Sequence, residues 1–237
     1  MVEPVETCDW MRWTPEIEVG IEGASTDMAA SYARRAAIEF AEGSRALRRV
    51  IALTLRPGNT RIPLFPFEGE RVVGLINVKS ATSPCGCPCG SGGNSHIPRV
   101  GTVQLSRARQ ELVFTPVDSC FRGKECVHLL VEVAAAPTED ACDHDIYLYE
   151  QYRSDITLGA RAMMIKEAHA VGTYKTYRGT GNCRGDAMLM AQAEKDLARF
   201  RKAVKTAQVD AVFADQVNTS AVPIPAGGIY GSTGGCW

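Results

Sequence analysis

The sequence predicts an α+β protein: an antiparallel helical bundle of one short and two long helices, an inserted antiparallel β domain, and extended N- and C-terminal arms. Three observations carry this. Apolar residues recur at helical steps near the start and over the last third, short β-branched segments punctuated by Gly, Pro and Asn fill the middle, and neither end keeps a period. The boundaries are an N-terminal arm over 1–24, a helical part from 25–48 and 138–213, a β domain over 49–137, and a C-terminal arm over 214–237.

Residues 1–24 set Glu3, Glu6, Asp9, Glu16, Glu18 and Glu22 against Arg12 alone and carry Trp10 and Trp13, which reads as a docking arm or lead-in. A helix is expected over 26–43. Ser25 and Thr26 offer caps, Asp27 suits the helix dipole, and Ala29, Ala33, Ala36, Ala37, Phe40 and Ala41 recur at helical spacing until Gly43 stops the run. From 49 to 137 the period changes. Segments 50–58, 61–65, 70–79, 102–107, 110–117 and 125–137 are short and β-branched, as antiparallel strands require, and Pro63 and Pro66 place the second at a sheet edge. Residues 80–99, rich in Gly and without period, form a long exposed loop.

A second helix is expected over 144–171, with Asp140 or Asp143 as its cap and Ile146, Tyr149, Ile156, Met163 and Ala170 along one face. The last runs over 186–213, roughly 40 Å at 1.5 Å per residue. Its seam of Met190, Ala193, Leu197, Phe200, Val204, Ala207 and Ala211 suits near-antiparallel packing on the helix before it. Two prolines and five glycines keep the final stretch from being helical; its Val222, Ile224, Ile229, Tyr230 and Trp237 are spaced as in a segment that orders against a partner.

Composition narrows the function. Twenty-six basic against 27 acidic side chains leave a formal charge of −1, which argues against a general nucleic-acid binder. Apolar content of 45% with 22% charged residues excludes global disorder. No apolar run approaches the roughly 18 residues of a membrane span, and the start lacks a signal peptide's pattern, so a soluble chain that is intracellular when made is expected. Phosphate loops, nucleophile elbows and zinc-protease helices are not found, and the Gly179–Gly185 stretch has the wrong spacing for a dinucleotide loop. No enzyme is predicted. His144, between two aspartates, reads as a surface capping residue, and His128 as a half-exposed strand residue.

Nine cysteines suit a reducing compartment. Among them Cys85, Cys87 and Cys89 alternate in a Gly/Pro-rich loop, where two or three thiolates could bind zinc with His96, Cys120 or Cys126 completing a tetrahedron; the alternative is a surface loop of free thiols. The block Arg34, Arg35, Arg45, Arg48, Arg49, Arg56 and Arg61, opposed by the acidic first 27 residues, favours association between copies as much as nucleic-acid binding, or a solvated face.

The stretch 14–49, with its Pro-containing lead-in and Ala-Ala-Ile-Glu-Phe helix, resembles the opening of the head-to-tail adaptor (connector or head-completion) proteins of tailed bacteriophages. LVEVAAAPTED resembles the last strand of their insertion, the helix with the Gly159-Ala160 step their small-residue helix, and AQAEKDLARFRKAVKTAQVDA their Phe-bearing final helix. Together these cover most of residues 14–213; the thiol loop and the Trp-bearing start have no counterpart in the family. The resemblance implies a structural virion protein of the neck between capsid and tail, made in the host cytoplasm. It implies a homo-oligomeric ring, dodecameric as is usual for the family, beneath the portal protein and against a tail nozzle, tube or other neck component. DNA passes such a lumen without specific binding, no membrane is involved, and the C-terminal arm, with Val222, Ile224, Ile229, Tyr230 and Trp237, reaches along the portal. Two other classes stay open: a tail-associated muralytic enzyme using carboxylates such as Glu39, Glu42 or Glu150, and a zinc-dependent interaction module over 85–126.

Overall fold

The structure, a computed structural model, describes residues 6–18, 25–55, 61–64, 68–80, 101–106, 111–116, 127–171 and 183–218. It divides into two compact units: Met1–Leu47 with Phe67–Arg71 and Ala135–Phe213, and Arg48–Pro66 with Val72–Ala134.

The first unit opens with strand β1 (Thr7–Asp9), a 3-10 turn (Trp10–Trp13) and the single-turn helix α1 (Thr14–Ile17). The Asp9 side chain starts the turn by accepting from the Met11 N–H at 3.0 Å, and Pro15 sits where a first helical turn has no use for an N–H. β1 pairs antiparallel with β8 (Asp143–Asp145), with Cys8 opposite His144. Helix α2 (Thr26–Ser44) is capped by Ser25, whose hydroxyl accepts from Met28 N–H at 3.3 Å; it buries Ala29, Ala33, Ala36, Ala37, Phe40 and Ala41. Arg45 closes it in the left-handed region (φ 55°), its N–H returning to Ala41 O at 3.0 Å.

Helix α3 (Ile146–Val171) is kinked at Tyr152, whose backbone leaves helical geometry (φ −124°, ψ 18°). Its cap is Asp145, accepting from the Tyr147 N–H at 2.7 Å, rather than the expected Asp140 or Asp143. Helix α4 (Cys183–Asn218) starts three residues before the expected 186. It meets α3 through Phe200, which lies so close to Gly159 that a Cβ there would fall 2.5 Å from the ring, and it meets α2 through Val204 beside Gly43. The ring of Phe200 also faces Phe40, centroids 6.2 Å apart.

The second unit holds β2 (Arg48–Leu55) and most of β7 (Val127–Pro137) and β4 (Glu70–Ser80), which form one three-stranded sheet in the order β2-β7-β4. β3 (Arg61–Pro63), β6 (Glu111–Pro116) and β5 (Gly101–Leu105) form another in the order β3-β6-β5, so the Pro63 strand does sit at an edge. Ile62, Val72, Leu112, Phe114, Leu129, Val131 and Val133 from both sheets make one core, with Ile51, Leu53 and Leu75 packed against it. Alternation along β2 turns Val50, Ala52 and Thr54 outward.

The expected antiparallel bundle of one short and two long helices, with a single β insertion and extended arms, is therefore corrected. The fold is α+β, but among the described residues it has four α-helices and three small antiparallel sheets. One sheet joins residues that the sequence pattern places in an arm to residues it places at the start of the second helix. The physical reason is the apolar surface of the N-terminal segment: Trp10, Trp13 and Ile17 are at most 2% exposed. Burying each indole, at 150–250 Å² and 25 cal/mol per Å², stabilises by about 4–6 kcal/mol, which outweighs the cost of ordering a few residues. The C-terminal arm over 219–237 and the loop over 81–99 lie outside the described residues.

Candidate functional site

The pairing of β1 with β8 brings aromatic and titratable side chains together within the first unit. Trp10 and Trp13, three residues apart, flank His144, with centroids 4.3 Å and 5.4 Å away and both rings edge-on. Trp10 Nε1–H donates to the carbonyl of Ala141 at 2.9 Å, and Trp13 Nε1–H donates to His144 Nε2. Tyr149 of α3 packs edge-on to Trp13 at 4.9 Å and lies under the guanidinium groups of Arg12 (5.1 Å) and Arg153 (4.9 Å), the latter also paired with Glu16.

His144 is 3% exposed, so the expectation of a surface capping residue is corrected. Its neighbours are two indoles, and capping falls to Asp145 instead. Burial lowers its pKa from the usual value, against the raising influence first of a hydrogen bond to its own backbone and then of the Asp145, Asp143 and Asp9 charges. Its Nδ1 has no hydrogen-bond partner among the described residues.

Beside this cluster lies a cleft of about 750 Å³ with an acidic wall: Glu68, Glu70, Asp140, Asp143 and Asp145 line it, along with Cys142. Asp140 has its pKa lowered first by a hydrogen bond from the Thr138 hydroxyl, which favours the carboxylate. The neighbouring His144 spends its Nε2 lone pair on Trp13 and so is not poised to take a proton from Cys142 through that atom. The carboxylates weighed for glycoside cleavage lie elsewhere: Glu42 pairs with Arg71, and Glu39 and Glu150 are exposed on α2 and α3.

Much of the arginine block is engaged by the chain itself. Arg35 pairs with Glu167 at 2.8 Å, Arg48 with Glu132 at 3.2 Å and Arg61 with Glu111 at 3.5 Å, while Arg34 donates to the Glu139 carbonyl at 2.6 Å. Cys85, Cys87 and Cys89, with His96, Cys120 and Cys126, lie outside the described residues, as do Val222, Ile224, Ile229, Tyr230 and Trp237. Among the described residues no three His, Cys, Asp or Glu side chains gather as a metal site, and no helix is long and apolar enough to cross a membrane.

Sequence reasoning missed the Trp10–Trp13–His144–Tyr149 cluster. A signal was present: Trp10, Trp13 and Ile17 stand at i, i+3 and i+7, the spacing of one buried helical face. No protein-family model matches the chain, and no curated protein matches it.

Proposed function

We propose that the chain is a structural virion component, a head-to-tail adaptor that forms a homo-oligomeric ring beneath a portal and joins capsid to tail. The observation that carries the reading is the order of the family-like segments, together with how three of them meet: Phe40 of α2, Gly159 of α3 and Phe200 of α4 pack at one place. A glycine directly beneath a phenylalanine gives the Gly-Ala step and the Phe-bearing helix of the resemblance a shared physical purpose, close helix approach. In this reading the protein performs no catalytic step. The arm residues Val222, Ile224, Ile229, Tyr230 and Trp237 supply apolar anchors along the portal, and DNA passes through the lumen without base readout.

The test is co-expression of the full chain with the portal protein of the same virion, followed by native mass spectrometry. A closed ring that copurifies with the portal, and whose portal binding is lost when Tyr230 and Trp237 are both changed to Ala, is the expected outcome. A monomer that neither self-associates nor binds the portal overturns the proposal.

A further inference from the structure

The adaptor reading gives the buried imidazole of His144 no part to play. An indole N–H can only donate, so the nitrogen it meets must offer a lone pair. Trp13 donates to His144 Nε2, which fixes the imidazole as neutral, with its proton on Nδ1. A second proton has one place to go, Nε2, and there it would set N–H against N–H. The Trp13 contact and the imidazolium are mutually exclusive.

His144 is also the residue on which the N-terminal segment hangs. It pairs in register with Cys8 of β1, touches both tryptophan rings, and directly precedes the Asp145 cap of α3. The charged and titratable groups nearest it are Cys8 and Asp9 on β1 and Asp143 and Asp145 on its own strand; one contact further out, Arg12 of the 3-10 turn reaches Cys8, Tyr149 of α3 packs on Trp13 and Arg34 of α2 lies over Trp10. Asp145, Asp143 and Asp9 favour the imidazolium, but Asp145 already serves the Tyr147 N–H, and burial outweighs all three.

We propose that His144 is an acid-operated latch: its neutral imidazole holds the segment Thr7–Ile17 in place, and protonation releases that segment and exposes Trp10 and Trp13. The packing of α2, α3 and α4 around Phe200 has no part in the contact and persists. The sign comes from linkage. A released imidazole titrates near the ordinary value of about 6.5, whereas the docked one titrates lower, so docking is at full strength above that pH. As pH falls below it, the docking equilibrium weakens by up to about tenfold per unit until the docked value is reached. This latch does not depend on the adaptor reading.

The experiment is amide hydrogen exchange of the full chain between pH 7.5 and 5, corrected for intrinsic exchange rates, with tryptophan emission and far-ultraviolet dichroism in parallel. The expected result is loss of protection over residues 7–17 and a red-shifted emission with the helical signal retained, both abolished in His144→Gln, whose amide oxygen accepts from Trp13 but takes no proton. Unchanged protection of 7–17 down to pH 5, or the same loss in His144→Gln, overturns the proposal. Should His144→Gln not fold, Trp13→Phe decides: removing the donor raises the His144 titration toward its ordinary value, read by exchange at the imidazole C2 in a mass spectrometer. No upward shift overturns it.

Discussion

The buried residues of α2, α3 and α4 are mostly alanines, among them Ala29, Ala33, Ala36, Ala37, Ala41, Ala160, Ala162 and Ala193, with Gly43 beneath Val204 and Gly159 beneath Phe200. The core of the second unit instead interleaves Ile62, Leu112, Phe114, Leu129, Val131 and Val133. Helices packed through small residues bring their backbones close and leave little slack, so added volume is the threat. Sheets bridged by branched side chains fill a wider gap, and lost volume is the threat. The difference teaches that one kind of substitution carries opposite meanings in the two places.

The largest effect is expected where the small-residue surface depends on a large knob. Phe200→Ala removes a fully buried ring and should cost about 3–5 kcal/mol in urea unfolding, with amide protection falling first in α2 and α3. Next, Leu129→Ala should cost about 2–5 kcal/mol, with the loss centred on β2 and β7. Equal loss of protection throughout the chain in both variants would break the comparison, because the units would then unfold as one.

Gly159→Ala sharpens it. Overpacking costs about 1–3 kcal/mol and the helix preference for Ala returns about 0.5–1, so a net loss of about 1–2 kcal/mol is expected. Gly43→Ala should cost less, about 0.5–1 kcal/mol, since only Val204 Cγ1 lies in the way, at 2.5 Å, but a β-branched side chain on a helix cannot turn aside freely. Smallest of all is Ala52→Val on the exposed face of β2, within about 0.5 kcal/mol of the parent. A cost above 1 kcal/mol there, measured by the same unfolding curves, would mean that this face is covered in the folded protein.

Much of the element layout was readable because it rests on long periods. The helix expected over 26–43 runs Thr26–Ser44, and the six middle segments all contain strands. The failures share a cause: short contacts between distant residues leave no period. TCD and DHD are three-residue strands, too short to show a period, and each runs straight into a structured element, the Trp10–Trp13 turn for one and the capped start of α3 for the other. Charge also misled. Residues 1–24 read as an acidic docking arm or lead-in, yet the two buried indoles anchor its Thr7–Ile17 stretch within the chain's own first unit. His144 looks like a surface residue because its neighbours in sequence are aspartates; its neighbours in space are tryptophans. The acidic cleft draws on residues 68–70 and 137–145, which no local reading joins.

The partners Trp13 and His144 are separated by 131 positions along the chain. A ribosome delivers the two indoles long before their imidazole, so for several seconds at least, at roughly 5–20 residues per second, the growing polypeptide carries them without the partner that shelters them. Whatever attends the chain in the cell during that interval meets bare indole rings.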